Sequence, residues 1–321
     1  MISRSFGTCW ADMNKIIRIG TRGSRLALAQ SAWVKEKMIS RHPDLRVELV
    51  KIKTEGDRVS DFPLSKIGGK GLFVKEIEEA LLQGVVDLAV HSTKDVPAVL
   101  PERLCLAVYP EREDPRDAFV SLKYKTIEEL SKDSPVGTGS LRRSAQLLSI
   151  RPDLRIVPIR GNVDTRLRKL EAGEVEAIIL AAAGLHRLGF GDRIGSILPF
   201  DAFIPAIGQG ALGLEIRNND LEIMDLLSFL NHKPTELTVR AERALLKRLE
   251  GGCRVPIAGH GRLEGDSIFL TGMVSEVDGS RMIKDEIIGA AENPEDLGVR
   301  LAERLIASGA REILNRIYGK G

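Results

Sequence analysis

The chain has 321 residues, of which 43% are hydrophobic, and this length favours two or three domains over a single typical domain. A net charge of +2 and an aromatic content of 4% argue against a general nucleic-acid binder, which usually carries a strongly basic face. We expect a cytoplasmic protein, because no apolar run reaches the length of roughly 18 residues that a membrane span needs and three scattered cysteines form no disulfide framework.

The first 14 residues contain no apolar core of signal-peptide length. Met13 lies two residues before Lys15, and the first strand pattern follows at once. We expect either that translation begins at Met13 or that residues 1–14 form a disordered tail.

Strand and helix patterns alternate through the first hundred residues. Strands are predicted at residues 16–20, 47–53 and 87–90, and helices follow the first turn and cover residues 73–83. This alternation predicts an α/β sheet with crossover connections.

The same order of turns recurs later in the chain. Gly137-Thr138-Gly139-Ser140 precedes a predicted helix as Gly20 to Ser24 does. The sequence of residues 151–156 resembles that of residues 42–47. We therefore predict two related α/β lobes with a cleft between them, although the sequence patterns common to strand-turn-helix units could produce such similarity by chance.

A different pattern begins near residue 219. Helices are predicted through residue 229 and over residues 235–249, followed by strands at 259–263, 268–275 and 282–288 and a final helical stretch from Pro294. Asp278-Gly279 suits a tight hairpin between two of these strands. The predicted divisions are residues 15–110 with 211–228 for lobe 1, 116–204 for lobe 2, and 233–321 for a small α+β domain.

Three arginine-bearing turns lie where strands end and helices begin, which is where α/β lobes place ligands. They start at Thr21, Thr138 and Arg160. Each combines small residues, free N–H groups at a helix start and guanidinium groups that can grip a carboxylate. A single arginine is more often a solvated surface charge, but three equivalent turns predict a cleft for a ligand with several carboxylates.

Two glycine-rich stretches resemble nucleotide loops without fitting them. Residues 66–71 lack the order of a phosphate loop, and we interpret them as a lid that carries Lys66 and Lys70. Gly208 to Gly213 has the dinucleotide spacing, but it precedes a strand instead of opening a helix, so nucleotide binding is not predicted.

Asp95 stands out in the segment from His91 to Pro97, at the end of a predicted strand. Its carboxylate, set among cations, could stabilise a positive charge that develops on a substrate. The alternative, a simple pair with Lys94 or a turn cap, is equally open from these residues. The five histidines show no metal-ligand spacing, and no metal is predicted.

Cys253 follows two glycines beyond the predicted end of a long helix. The negative end of the helix dipole disfavours a thiolate there, so the residue is ill suited to repeated nucleophilic turnover. It would suit a thiol that is alkylated once, although a cysteine in such a place is more often structural or incidental.

These motifs, in this order from Ile16 to the C-terminal helix, resemble the hydroxymethylbilane synthase family, also called porphobilinogen deaminase. The resemblance rests on the segments 20–30, 66–73, 91–97, 137–147, 160–167, 181–189, 205–210 and 241–253. Gly139 stands where a serine is common, Thr93 lies inside the aspartate motif, and the first dozen residues have no family counterpart.

The resemblance implies two lobes like those of periplasmic binding proteins, with doubly wound mixed sheets, and a third domain with a three-stranded antiparallel sheet. It implies a dipyrromethane cofactor on Cys253, to which four porphobilinogen units are added head to tail with loss of ammonia. Hydrolysis then releases hydroxymethylbilane for porphyrin and haem biosynthesis. A monomer is expected.

Site roles follow from the same resemblance. Asp95 matches the catalytic carboxylate. The expected cofactor-binding residues, besides Cys253, are Ser92, Lys94, Thr138, Ser140, Arg142 and Arg143. The expected substrate-binding residues are Arg22, Ser24, Arg160, Arg166 and Arg187.

A two-lobed solute-binding or effector-sensing module for a polycarboxylate is the main rival, since fold does not fix function. It would account for the arginines but leaves Cys253 and the third domain without a role.

Overall fold

The computed structural model describes residues 16–58, 71, 73–250 and 255–319. Lobe 1 is the unit built around the first five-stranded sheet. Its helices and strands, in chain order, are β1 (Ile16–Thr21), α1 (Arg25–Arg41), β2 (Arg46–Lys51), α2 (Glu55–Arg58), α3 (Lys75–Leu82), β3 (Leu88–Ser92), β4 (Leu104–Val108) and, after lobe 2, β10 (Leu212–Arg217) and α7 (Leu221–Leu227).

Lobe 2 is built around the second five-stranded sheet. Its elements are β5 (Asp117–Ser121), β6 (Pro135–Gly137), α4 (Leu141–Ile150), β7 (Arg155–Val157), α5 (Val163–Glu171), β8 (Ala177–Ala181), α6 (Ala182–Arg187) and β9 (Ser196–Ile197).

The two lobes share one sheet plan. The strand order is β2-β1-β3-β10-β4 in lobe 1 and β7-β6-β8-β5-β9 in lobe 2. In each sheet four strands run in one direction, and the remaining strand, β10 or β5, is antiparallel to both of its neighbours. The repeat predicted from the sequence is therefore a repeat of structure, and the predicted α/β fold class with mixed sheets is confirmed.

Equivalent residues begin the equivalent helices. Ser24 caps α1 by accepting a hydrogen bond from the Ala27 amide at 3.3 Å, and Ser140 caps α4 by accepting one from the Arg143 amide at 3.4 Å. In both turns a Gly-Ser pair ends the turn, and its serine caps the helix that follows.

Two chain crossings join the lobes. The first runs through residues 109–116 and leads into β5, and the second runs through residues 204–211 and leads into β10. We call these two segments the hinge segments. Each lobe therefore receives its antiparallel strand directly after a crossing, which places the first residues of β5 next to the interface between the lobes.

The third domain follows lobe 1. It consists of α8 (Lys233–Arg248), β11 (Ile257–Glu264), β12 (Ser267–Ser275), β13 (Met282–Ala290), α9 (Pro294–Leu305) and α10 (Arg311–Tyr318), with a π-helical turn (Ile306–Ala310) before α10. The three strands form an antiparallel sheet in the order β11-β12-β13. Gly279, with φ of 73°, lies in the turn predicted from Asp278-Gly279 between β12 and β13.

Helices α8 and α9 cross closely on one face of this sheet. A Cβ atom on Gly298 of α9 would collide with the main-chain oxygen of Ala241 and approach the Cβ of Ala244 to 2.8 Å, so only glycine fits there. Apolar side chains such as Leu245 and Leu301 are fully buried between the helices and the sheet. Within the described ranges, none of the helices combines the length and the apolar character that crossing a membrane requires.

Candidate active site

The polar turns identified in the sequence come together where parallel strands end. Arg22 and Ser24 follow β1, Lys94 and Asp95 follow β3, and Arg160 follows β7. Because the parallel strands of each lobe end at the same edge of its sheet, these turns form the walls of one cleft.

A small cavity of about 50 Å³ lies on the lobe 1 side of this cleft. Its lining includes Arg22, Ser24, Ser92 and Asp95. The Arg22 guanidinium carbon lies 4.2 Å from the centre of the Phe73 ring, which also lines the cavity and lies two residues beyond the predicted lid. Four of the residues predicted to contact the cofactor or substrate are thus neighbours.

Asp95 lies in a short 3₁₀ turn, Thr93–Asp95, and its side chain is exposed. No hydrogen bond or ion pair joins its carboxylate to another residue in the described part of the chain. The alternative in which Asp95 caps a turn therefore has no hydrogen bond to support it. The carboxylate acts electrostatically on two cations, its chain neighbour Lys94 and Arg166 of lobe 2.

Ser92 is held by the neighbouring helix. Its hydroxyl lies 2.8 Å from Nε2 of Gln30 and 3.3 Å from Oε1 of the same side chain. On lobe 2, the Thr138 hydroxyl accepts a hydrogen bond from the Ser140 amide at 3.2 Å. These hydroxyl groups are oriented by local contacts before any ligand binds.

Lys94 is half-buried, and it forms no ion pair with the residues that the structure describes. Burial lowers its pKa to about 8, and the nearby Asp95 carboxylate opposes part of this shift. Arg143 and Arg142 add to the lowering. An ammonium group in these surroundings would gain stability from an incoming carboxylate.

Arg166 is in a similar position. Burial lowers its pKa to about 10, with further lowering by Arg143 and Arg160 and an opposing effect from Asp95. Its Nε donates a hydrogen bond to the Gly161 carbonyl at 2.8 Å, which leaves the rest of the guanidinium without an ion pair among the described residues. Lys94, Arg143, Arg160 and Arg166 together form what we call the cation cluster.

Arg142 and Arg143 have an internal partner that the sequence analysis did not identify. Both are about 5% exposed, and both pair with the buried carboxylate of Asp117, at 2.8 Å for Arg142 and 2.7 Å for Arg143. Burial alone would raise the pKa of Asp117. The charges of the two arginines and a hydrogen bond from Gln209 instead hold that pKa well below its usual range.

Arg187 lies apart from the cation cluster. Its Nη2 donates a hydrogen bond to the main-chain oxygen of Gly210 in the second hinge segment, at 2.8 Å. Burial lowers its pKa, while Glu113 of the first hinge segment opposes the shift. Arg187, at the end of α6, thus contacts the main chain of the second hinge segment.

Three predicted site residues lie outside the described residues: Lys66, Lys70 and Cys253. The chain on either side of Cys253 is anchored in the third-domain core, because Leu249 is fully buried and Val255 is 4% exposed. Helix α8 ends at Arg248, shortly before Cys253 in the sequence, as the long predicted helix required.

Helix α8 also holds the segment that follows Asp95. Arg243 donates hydrogen bonds to the main-chain oxygens of Val96, at 3.3 Å, and Pro97, at 2.7 Å. The third domain thereby fixes the main chain directly after the candidate catalytic carboxylate. Within the described ranges, no group of three His, Cys, Asp or Glu side chains could hold a metal ion.

Asp117, Gln209 and Arg243 are therefore the contributors that sequence reasoning missed. A charged residue at the start of the apolar run Ala118-Phe119-Val120 was the available signal for Asp117, because a buried charge needs a partner. For Gln209 the signal was its position between two glycines, which have φ of 68° and 85° in the hinge.

Comparison with protein-family models gives two matches. Residues 17–225 match the model described as "Porphobilinogen deaminase, dipyromethane cofactor binding domain", and residues 236–307 match "Porphobilinogen deaminase, C-terminal domain". The two matches span both lobes and most of the third domain.

Curated proteins give the same result. The chain is 56% identical over 304 residues to a porphobilinogen deaminase from Geobacter metallireducens, covering 95% of each chain. It is also 56% identical over 302 residues to the protein of that name from Geobacter sulfurreducens, covering 94% of this chain and 95% of the other.

Solved structures give weaker matches. The methionine-binding protein MetQ is 16% identical with a TM-score of 0.45, covering 67% of this chain and 89% of its own. A periplasmic substrate-binding protein from Coxiella burnetii is 15% identical with a TM-score of 0.43, covering 71% and 96%. The architecture of the two lobes rests on their own sheet topology.

Proposed function

Because the chain belongs to the porphobilinogen deaminase family, we propose that it joins four porphobilinogen molecules head to tail, with loss of one ammonia for each unit, and releases the product by hydrolysis as hydroxymethylbilane. The observation that carries this proposal is the cation cluster around the exposed carboxylate of Asp95. Each porphobilinogen brings an acetate and a propionate, so a cleft for a growing chain needs several cations. An excess of carboxylates buried without partners would be strongly unfavourable.

We further propose that a dipyrromethane cofactor is attached through a thioether to Cys253 and lies against Ser92, Lys94, Thr138, Ser140 and the arginines at the start of α4. The described residues fit such a group. Lys94 and Arg166 are both substantially shielded from water and lack a carboxylate partner within the described part of the chain. The cofactor's carboxylates would complete both pairs. Charge-assisted bonds of this kind contribute on the order of 1.5–3 kcal/mol each.

When bound, dipyrromethane supplies a free pyrrole carbon to which the first substrate molecule is joined. Asp95 acts on the substrate, because its carboxylate can accept hydrogen bonds from pyrrole N–H groups and offset the positive charge that develops as the amine departs. Lys94 and Arg166 hold carboxylates of the cofactor and of the growing pyrrole chain. Arg22, Ser24 and Arg160 are proposed to bind the incoming substrate. Arg187 is proposed to bind it beside the second hinge segment.

The rival solute-binding function is less well supported. It gives no role to the segment that matches the C-terminal domain of porphobilinogen deaminase, nor to the contacts of Arg243 with the main chain after Asp95. We also propose that the protein acts in the cytoplasm as a monomer and without nucleic acid. Size-exclusion chromatography with light scattering tests the oligomeric state.

Two measurements test the proposed function. Purified protein supplied with porphobilinogen should release ammonia and form a linear tetrapyrrole that mass spectrometry identifies. The intact mass of the purified chain should exceed the sequence mass by two linked pyrroles, and Cys253→Ala should remove that excess. Cys105→Ala is the matched control, because Cys105 is half-buried on β4, away from the cleft, and should retain it. An unmodified mass from a host that makes porphobilinogen would sink the proposal.

A further inference from the structure

Asp117, the first residue of β5, accepts hydrogen bonds from three side chains. It is fully buried directly after the first hinge segment. Oδ2 accepts from Arg142 Nη1 at 2.8 Å, and Oδ1 accepts from Arg143 Nε at 2.9 Å and from Gln209 Nε2 at 3.0 Å. One carboxylate therefore serves two arginines and a hinge glutamine.

The contacts of Asp117 matter because Arg142 and Arg143 are consecutive residues on α4. Side chains one position apart on a helix do not face each other, so these two guanidinium groups would ordinarily diverge. Asp117 draws them together, with help from two main-chain oxygens. Arg142 donates to Ile204 at 2.7 Å, and Arg143 donates to Ile179 at 3.1 Å.

The charges of this group do not cancel. Two guanidinium groups share one carboxylate, which leaves one positive charge in excess. Arg143 acts electrostatically on both Lys94 and Arg166, and Asp117 acts on Lys94 with the opposite sign. The Asp117 carboxylate thus offsets part of the positive charge that acts on Lys94.

Gln209 connects this group to both hinge segments. Its side chain donates to the Pro115 main-chain oxygen at 2.8 Å as well as to Asp117, and its own main-chain oxygen accepts from Arg112 Nε at 2.8 Å. Its Oε1 lies 3.5 Å from Arg143 Nη2. A change in hinge angle would therefore move a direct neighbour of Arg143.

We propose that Asp117 is a positioning residue for the condensation: it holds Arg142 and Arg143 side by side and, through Gln209, fixes Arg143 relative to the hinge. Arg143 is thereby aimed at the carboxylates of dipyrromethane and of the growing chain. This inference rests on the proposed function, and it assigns no contact between Asp117 and the substrate.

The first test compares Asp117→Asn with Asp153→Asn. Asp153 also pairs with an arginine of lobe 2, Arg151, at 2.7 Å, but it precedes β7 and so lies at the opposite end of the parallel strands from the cleft. We expect Asp117→Asn to raise KM for porphobilinogen by about tenfold or more, the equivalent of one lost charged contact. The fraction of purified chains that carry the dipyrromethane mass should also fall. Asp153→Asn should change neither quantity.

The direction of the KM change separates positioning from simple charge neutralisation. If Asp117 only reduced the positive charge of the cluster, removing its charge would tighten carboxylate binding and lower KM. A lower KM would overturn the proposal. So would an unchanged KM and full cofactor loading at a temperature where the variant is folded, because a purely structural role predicts only a lower melting temperature.

A double variant tests the positioning directly. Asp117→Asn combined with Gln209→Glu moves the carboxylate beside Arg143 from position 117 to position 209 and leaves an amide in its place. The net charge of the protein does not change. We expect it to restore cofactor loading and to bring KM back toward the wild-type value, whereas Gln209→Glu alone should raise KM. A double variant as impaired as Asp117→Asn would count against the proposal. Wild-type protein without condensation activity would instead refute the proposed function itself.

Discussion

Glu242 on α8 holds the guanidinium group of Arg112 through both carboxylate oxygens, at 2.5 and 3.1 Å. The same carboxylate accepts hydrogen bonds from the amides of Gly208, at 2.7 Å, and Gly261, at 2.8 Å. Arg112 and Gly208 belong to the two hinge segments, and Gly261 belongs to β11. One fully buried side chain of the third domain thus ties both chain crossings to its own sheet.

Glu242→Gln should be strongly destabilising. Removing one partner of a buried pair leaves the other charge uncompensated, at a cost of about 3–5 kcal/mol in the free energy of unfolding. Urea unfolding measures this quantity. Glu303→Gln is the matched control, since Glu303 pairs with Arg248 at 2.6 Å but is half exposed, and exposed pairs contribute about 0–1 kcal/mol. Equal losses in the two variants would contradict the central role of Glu242.

Asp95→Asn should abolish most condensation without unfolding the protein. The substitution keeps the shape and removes the charge, and the loss of one electrostatic stabiliser of a developing charge lowers kcat by about 10²–10³-fold. Because the carboxylate is exposed and forms no hydrogen bond with the described residues, the melting temperature should stay close to that of the wild type. A variant with substantial turnover would remove Asp95 from the catalytic role.

The pH dependence of cofactor loading should report on Lys94. Its pKa of about 8 lies below the usual 10.5, so the ammonium loses its charge as pH rises through about 8. Carboxylate binding then weakens, and the rate at which cofactor-free protein acquires the dipyrromethane from porphobilinogen should fall above that pH. Lys94→Arg keeps its charge throughout this range and should lack the fall.

The comparison of the two pH profiles isolates Lys94, because ionisation of the substrate affects both enzymes alike. Profiles of wild type and Lys94→Arg with the same alkaline limb would show that another group is responsible.

Glu78→Gln should stabilise the protein above neutral pH. Glu78 on α3 is 9% exposed and its Oε1 has no hydrogen-bond partner among the described residues. Burial, followed by the charge of Glu215, raises its pKa to about 7, while His91 opposes the shift. The folded state therefore binds this proton more tightly than the unfolded chain does.

The sign of the effect follows from linkage. The stability that Glu78 confers in its protonated form is complete below about pH 4.5 and is lost as pH rises through about 7. At pH 8 the amide should be more stable by roughly 1–3 kcal/mol, and at pH 5 most of this difference should vanish. Glu79→Gln, on the exposed side of the same helix, should stay within about 0.5 kcal/mol at either pH. A pH-independent difference for Glu78→Gln would contradict the assigned pKa.

Local signals explain the parts of the fold that the sequence predicted well. The resemblance of residues 42–47 to residues 151–156 corresponds to two equivalent helix ends, where the amides of His42 and Arg151 bond to the carbonyls four residues earlier. Each segment then leads into a parallel edge strand, β2 or β7. Caps and glycine turns act over a few residues, so their residue types can be recognised without the rest of the chain.

The chemistry of the site was only partly predictable, because it depends on contacts between residues that are far apart in the sequence. Arg142 and Arg143 were expected to face carboxylates of a ligand, yet each already contacts Asp117, which is 25 and 26 residues away in sequence. Gln209 joins the same carboxylate across 92 residues. Such separations leave no local pattern, because the residues meet only when the two hinge segments lie side by side.

By itself, the sequence determined the repeated strand-turn-helix units, the hairpin at Asp278-Gly279 and the identity of the polar turns, since hydrophobic period and turn chemistry are local properties. Only the tertiary structure decided which cations are neutralised internally and which remain available. Asp117 takes up the charge of one arginine, whereas Lys94 and Arg166 lack an ion pair within the described part of the chain. The physical reason is that burial and charge pairing depend on distances through space, which separation along the chain does not fix.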